Sequence, residues 1–255
     1  MIKCTIEWYG YAVKEILKKI VRYLCFRRKV GKRVALDVKD RDCSENAGVD
    51  LQVDTASVNI GGSKGYLFVK RLADIVLAAA GLMVLLVPMI IVGILIKLDS
   101  KGSVIYSQER LGKNGKPFTM YKFRSMIVDA EVNGPKWADA NDERCTKLGR
   151  VLRKSRLDEL PQLYNILVGD MSIVGPRPER ECFYIEFEKR IPGFKNRMAV
   201  TPGLTGHAQV NGGYSLLPEE KLIYDMEYIA KRSVRMDLQC IMKTVSVVVF
   251  HTGAR

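Results

Sequence analysis

The chain has 255 residues, enough for one large domain or a domain with appendages, and 47% of them are apolar, which suffices for a sizeable core. Lysine and arginine outnumber aspartate and glutamate 41 to 28, a formal net charge of +13, so the expected partner is anionic: nucleic acid, an anionic membrane surface or phosphorylated substrates. The six cysteines (Cys4, Cys25, Cys43, Cys145, Cys182, Cys240) form no C-x-x-C pair and have no histidine at ligand spacing, which argues against zinc and fits reduced thiols facing the cytosol.

In chain order, residues 1–34 form a basic segment. Apolar and aromatic residues recur at roughly helical spacing from Ile6 to Phe26, with lysines between them and FRRKVGKR following. Lys14, Lys18, Lys19 and Arg22 interrupt the apolar run, so it does not read as a secretory signal. Two readings stand side by side: an amphipathic helix lying on anionic lipid, or a solvated basic helix with one face packed on protein. Residues 35–67 turn small, polar and acidic and include GGSKG, which reads as a linker with at most a short strand.

Residues 75–96, IVLAAAGLMVLLVPMIIVGILI, carry no charge. As a helix rising ~1.5 Å per residue they would reach about 33 Å, enough to cross a bilayer core. Lys70 and Arg71 precede the run and Lys97 and Lys101 follow it, so the tendency of cations to stay on the cytosolic side pulls on both ends. Pro88 lies inside the run and frees a backbone carbonyl. Residues 68–98 are therefore expected to form a re-entrant hairpin kinked at Pro88 rather than a straight span.

Next, SVIYSQERLGKNGKPFTMYKFRSM reads as a β-hairpin, with Asn114-Gly115 supplying positive φ between two strand-like runs. Lys122 and Arg124 are two apart on the return strand and so share a face. With Tyr121 and Phe123 beside them they suit an anion site, although, taken alone, a solvated strand face is the better explanation.

Residues 146–155 read as a basic helix and 160–168 as an apolar one, with Pro161 tolerable only in the first turn of the second. This puts Asp158 and Glu159 at a helix N-terminal edge, where unpaired N–H groups favour ionised carboxylates at neutral pH. Adjacent helical residues point about 100° apart, so the two acids cannot act as a stacked pair; one would be a nucleophile or metal ligand and the other its support. Alone, such a pair would merely cap a helix. Its surroundings favour more. Arg177 is pinned between Pro176 and Pro178 in GPRPE, preorganised for a phosphate, and Arg153 lies five residues before Asp158. Cations around one or two carboxylates are the makings of a phosphate–metal site, with Mg²⁺ as the expected ion. No P-loop or nucleophilic-serine motif is present, and neither His207 nor His251 has an evident base role, which leaves a carboxylate attacking phosphorus as the covalent chemistry on offer.

Four ordered stretches, KRLADIVLAAAGLMVLLVP, VIYSQERLGKNGKPFTMYKFRSM, LRKSRLDELPQLYNILVGDMSIVGPRPE and TPGLTGHAQVNG, together resemble the bacterial sugar transferases, the monotopic phosphoglycosyl transferases that begin glycan assembly on undecaprenyl phosphate. The resemblance covers about residues 68–250. It implies an α+β, mostly helical protein with a re-entrant membrane hairpin, a small β-hairpin and a compact cytosolic catalytic domain at 99–255. It implies transfer of a sugar-1-phosphate from a UDP-sugar to undecaprenyl phosphate with release of UMP, the first membrane step of exopolysaccharide, capsule or glycan synthesis. By the same resemblance Asp158 is the nucleophile, Glu159 its dyad partner, and Arg153, Arg177, Lys122 and Arg124 contact phosphate. Mg²⁺ would bind the pyrophosphate at Asp158, with Glu159 as a second candidate ligand. The place implied is the cytosolic leaflet of the bacterial inner membrane, next to the pathway's downstream glycosyltransferases. A homo-oligomer is compatible with this reading, and nucleic acid has no part in it. The competing expectation is a membrane-docked scaffold that has lost catalysis.

Three positions depart from the family pattern. Gly213, followed by Tyr214, stands where some members carry an arginine, a contact that Lys221 could supply instead. His207 fills a slot that is often aromatic, and Val87 stands where a serine often precedes the hairpin proline, leaving the bend to Pro88 or to Gly81 and Gly93. Towards the end, residues 218–230 read as a polar helix, and 236–250 as an apolar one that packs on the core or lies at the lipid headgroups.

Overall fold

The computed structural model describes residues 51–128, 130, 142–212 and 216–250. The basic segment at 1–34, the first part of the expected linker and the Gly213 departure lie outside the described residues.

The described part of the linker expectation, 51–63, is no free tether. Val58 is buried against Tyr228 and Ile229, and Val53 and Ile60 pack on the same cluster. Apolar residues spaced along that polar stretch give it a face to bury, and the Gly61 N–H donates to the Ile229 carbonyl (2.9 Å).

Helix α1 (Lys64–Val84) starts where the Ser63 hydroxyl accepts from the Tyr66 N–H, an N-cap that satisfies one of the end's unpaired donors. Helix α2 (Leu86–Asp99) follows at once, and the two are bent by 60°. The break sits at Leu85, one turn before the expected kink residue. Pro88 is the third residue of α2; it has no N–H for the Val84 carbonyl and its ring crowds that carbonyl, so the ladder fails one turn upstream of the proline. Among the described residues no single helix is long and apolar enough to cross a membrane, and α1 and α2 reach that length only as a bent pair.

Both ends of this pair are tied to one body. On α1, Arg71 donates to the carbonyls of Ile166 (2.7 Å) and Leu167 (2.9 Å), and buried Asp74 accepts from the Ile173 N–H (2.9 Å). At the end of α2, Lys97 donates to the Gly102 carbonyl (2.8 Å) and Arg124 to Ser100. The other side of the pair is apolar and open: Phe68, Leu72, Val76, Met83, Val87, Ile91 and Leu98 are all exposed.

Strands β1 (Ile105–Leu111) and β2 (Pro117–Phe123) form the expected antiparallel hairpin, with Tyr106 opposite Lys122. Asn114 and Gly115 take positive φ (57° and 70°), as the turn chemistry requires. Helix α3 (Lys147–Lys154) is capped by Thr146, whose hydroxyl accepts from the Gly149 N–H (2.9 Å). A single 3₁₀ turn, Leu157–Glu159, then leads through Pro161 into α4 (Gln162–Val168), which ends on left-handed Gly169 (φ 97°). Asn165 of α4, fully buried, imitates a strand: its side chain accepts from the Tyr121 N–H (3.1 Å) and donates to the Thr119 carbonyl (2.7 Å). That pair of bonds docks the acidic turn beside β2.

The remaining chain closes the body. Strands β3 (Ser172–Val174) and β4 (Gly203–Thr205) pair in parallel, in a second small sheet. Between them lie α5 (Glu181–Arg190) and a 3₁₀ segment, Phe194–Ala199. Helices α6 (His207–Asn211), α7 (Pro218–Lys231) and α8 (Val234–Phe250) follow. The expected apolar C-terminal helix packs with one face only: Asp237 and Cys240 are buried, whereas Leu238, Met242 and Val245 are exposed. The fold is thus mostly helical with two small two-stranded sheets, in line with the α+β expectation.

Candidate active site

Asp158 and Glu159 are both buried, 6% and 7% exposed, in a protein whose acids are outnumbered. The turn that carries them is held on three sides: α3 precedes it, α4 follows it, and Asn165 fastens α4 to β2. Beside them opens a cavity of about 400 Å³ whose wall includes Lys122, Arg124, Arg153, Asp158 and Arg177. Five of the six residues singled out from sequence therefore line one space, and the sixth, Glu159, lies directly behind it.

The two acids are not equivalent. Glu159 Oε1 accepts from Arg177 Nη2 (2.5 Å) and from Lys122 Nζ (3.3 Å). Burial pushes its carboxyl up, but Arg177 and then Lys122 outweigh that and hold it well below the usual carboxylate range. Asp158 has no such clamp. Burial first, and the neighbouring Glu159 charge second, raise it from the ordinary 3.8 to about 6, against the pull of Lys122, Arg177 and Arg153. The helix-end argument made both acids ordinary ionised carboxylates. The structure divides them into one held in the charged form by two cations and one at the cavity wall whose carboxyl is raised to about 6.

Of the expected phosphate contacts, Lys122 and Arg177 converge on Glu159. Arg153 donates to Cys145 Sγ (2.9 Å). Arg124 has a different principal engagement: it follows the last residue of β2, and its Nη2 donates to the Ser100 carbonyl (2.8 Å), the Ser100 hydroxyl (2.9 Å) and the Ile96 carbonyl (3.4 Å). It satisfies carbonyls at the C-terminus of α2, where the helix dipole favours a cation. The shared face with Lys122 is real, but one cation serves the dyad and the other anchors the bent helix pair.

A cation such as Mg²⁺ takes oxygen ligands and commonly keeps only one or two from protein carboxylates, the rest coming from phosphate and water. Among the described residues there is no cluster of three or more His, Cys, Asp or Glu side chains that could hold a metal. Asp158 fits as a lone carboxylate ligand to a phosphate-borne ion. Glu159 fits poorly, because its Oε1 already faces two cations.

The far part of the cavity was not foreseen. Arg110 pairs with Glu179 (3.2 Å), and Arg197 with Asp225 (2.7 Å), and all four residues line the wall. Arg197 is completely enclosed, with its guanidinium 4.7 Å over the Phe194 ring, and it donates to the Arg177 carbonyl (3.1 Å). A signal for part of this existed: Tyr106, Gln108 and Arg110 alternate along β1 and share the face that Lys122 takes on β2. The Arg197–Asp225 pair joins two segments with no common local pattern. Lys221 also lines the cavity, as its proposed substitute role requires, while His207 lies 3.4 Å from Glu227 Oε2.

The chain is 40% identical over 193 residues to the UDP-N-acetylgalactosamine-undecaprenyl-phosphate N-acetylgalactosaminephosphotransferase of Aeromonas hydrophila, covering 74% of this chain and 46% of that protein. It is 41% identical over 181 residues to the UDP-glucose:undecaprenyl-phosphate glucose-1-phosphate transferase of Escherichia coli (strain K12), covering 69% and 39%. This chain thus spans about half the length, or less, of those two relatives. The exopolysaccharide production protein PSS of Rhizobium leguminosarum bv. phaseoli is matched over 94% of its length, at 40% identity and 70% of this chain. The family model described as "Bacterial sugar transferase" matches residues 65–251, from the start of the bent helix pair through the last helix. The chain belongs to the bacterial sugar transferase family.

Proposed function

We propose that this protein transfers a sugar-1-phosphate from a UDP-sugar to undecaprenyl phosphate, with Asp158 as the nucleophile. The observation that carries this reading is the asymmetry of the dyad: a carboxylate at the wall of a cation-lined cavity, beside a second carboxylate whose Oε1 accepts from both Lys122 and Arg177. The names of the relatives, which pair a UDP-sugar with undecaprenyl phosphate, supply the substrates.

In the first half-reaction an Asp158 carboxylate oxygen attacks the sugar-bearing phosphorus of the donor. The bond from that phosphorus to the bridging oxygen breaks, UMP leaves with the electron pair, and an acyl-phosphate to the phosphosugar forms on Asp158. In the second, a phosphate oxygen of undecaprenyl phosphate attacks the same phosphorus, and the bond to Asp158 breaks and restores the carboxylate. Glu159 keeps Lys122 and Arg177 in place, so that these cations face developing phosphoryl charge without reorganising. Arg153 adds a third cation at the same wall. Mg²⁺, when bound, would neutralise pyrophosphate charge and help UMP depart.

The bent helix pair fits a re-entrant insertion into the cytosolic leaflet. Its apolar face is open, while the basic residues at its two ends, Lys70, Arg71 and Lys97, all bond to the catalytic body. A straight span would have to part those ends by a bilayer. Cysteines placed beside Lys70 and Lys101 should therefore be labelled from the same side of the membrane, and labelling from opposite sides would mean a span.

The function itself is tested by a donor screen. Membrane-bound protein is given a panel of UDP-sugars, undecaprenyl phosphate and Mg²⁺, and UMP is measured. Release with one donor or a narrow group supports the reading, whereas no release from any donor favours the inactive scaffold.

A further inference from the structure

Only two described residues other than glycine have a positive φ. One is Asn114 in the β-hairpin turn, a residue type that tolerates the left-handed region. The other is Arg156, at φ 60° and ψ 12°, immediately before the turn that carries Asp158 and Glu159. The backbone has a reason to be left-handed there. Arg156 N–H reaches back to the Arg153 carbonyl (3.2 Å) and the Arg156 carbonyl receives the Glu159 N–H (3.2 Å), so this residue reverses the chain between α3 and the dyad. Glycine would make that reversal without a β-carbon to crowd the following peptide, and asparagine would strain it less.

An arginine in this position needs a justification from its side chain. It is not helix capping, since the residue makes no side-chain cap bond to the turn it precedes. The residue is half-buried and lines the same cavity as Asp158. Its charge is also felt at the dyad, where it joins Arg177 and Lys122 in favouring the ionised form of Glu159. Lys122 and Arg177 spend part of their charge on Glu159, whereas each half-reaction brings a phosphate-bearing substrate up to Asp158 and adds more negative charge than those two neutralise.

We propose that Arg156 is a phosphate-binding residue of this site, its left-handed backbone holding the guanidinium at the cavity wall next to the nucleophile. The proposal rests on the phosphosugar-transfer reading. The group held is a phosphoryl oxygen, of the UDP-sugar or of undecaprenyl phosphate, and kinetics tell the two sources apart.

The test is Arg156→Gly in the full-length, membrane-bound protein. Glycine keeps the left-handed turn and removes the guanidinium, so a purely structural arginine predicts kinetics that change only in step with thermal stability. The proposal predicts, at temperatures where the variant stays folded, a KM raised about tenfold or more, for the UDP-sugar if the donor is held and for undecaprenyl phosphate if the acceptor is held. Binding of inorganic pyrophosphate, followed directly, should weaken by a similar factor. That readout needs no turnover: if the wild-type chain released no UMP, the function reading would fail, yet weaker pyrophosphate binding in the variant would still support Arg156. Kinetics and pyrophosphate affinity within twofold of wild type would overturn the proposal, as would activity lost only in step with a lowered melting temperature.

Discussion

Two buried acidic corners of this molecule use similar residues to opposite ends. At the first, Asp237 of α8 accepts from Tyr66 (2.9 Å) and Lys70 (2.9 Å) through one oxygen and from Tyr228 (2.8 Å) through the other. Tyr228 also donates to the Val174 carbonyl (3.2 Å), so the start of α1, two C-terminal helices and the strand leading to Arg177 meet at one carboxylate. At the second corner, Glu159 is held through Oε1 by Arg177 and Lys122, but Asp158 next to it is left with a raised pKa and a cavity in front of it. A buried charge matched on every side holds parts together; a buried charge left short of partners is available for chemistry, at a cost in stability.

That contrast can be broken at either corner. The largest effect is expected at Asp158. Asp158→Asn keeps the shape of the side chain and removes the nucleophile, so turnover should fall by about 10⁴-fold or more and no phosphosugar adduct should be trapped. An adduct trapped on another residue would sink the assignment. The same variant should be more stable than wild type at neutral pH. A carboxyl raised from 3.8 to about 6 on folding takes up protons, so its contribution to stability declines as pH rises through that window. Asparagine removes this liability, a gain of up to about 3 kcal/mol above pH 6. A melting temperature lower than wild type would show that Asp158 is as well matched as Asp237.

The next effect is graded. If Asp158 must be ionised to attack, the rate should lose about tenfold for each pH unit below about 6, measured where the protein remains folded. A profile flat down to the ordinary carboxylate range would mean that the burial of Asp158 is relieved in the working enzyme.

The smallest effect on chemistry is expected at the other corner. Asp237→Ala leaves Lys70 and two tyrosine hydroxyls without their shared acceptor, which should cost about 3 kcal/mol and lower the melting temperature. The rate per folded molecule should change little at low temperature. A large fall in that rate without loss of stability would mean that Asp237 acts on Arg177 through Tyr228 and Val174, and the division between the two corners would fail.

Much of this was legible along the chain because it rests on local rules. The β-hairpin followed from Asn114-Gly115 and its flanking alternation. The start of α4 followed from Pro161, and the kink followed from Pro88, misplaced by one turn because a proline disturbs the carbonyl four residues before it. Lys122, Arg153, Asp158 and Arg177 could be grouped by type and by resemblance. The role of Arg124 could not, because the helix end it satisfies comes from a segment 24 residues earlier. Residues 51–63 read as a linker because the clusters that bury their few apolar side chains are supplied by distant segments.

The sequence by itself determined the charge-free segment with its proline, the cation-rich surroundings of an acidic pair and the family to which they belong, since each is a matter of composition and short-range order. Only the tertiary structure decided which acid is free and which is bound. Asp158 and Glu159 are neighbours with nearly the same intrinsic acidity, and their separation comes from β2 and the Arg177 loop converging on one of them. Burial then acts on both, but two close cations compensate it fully only at Glu159.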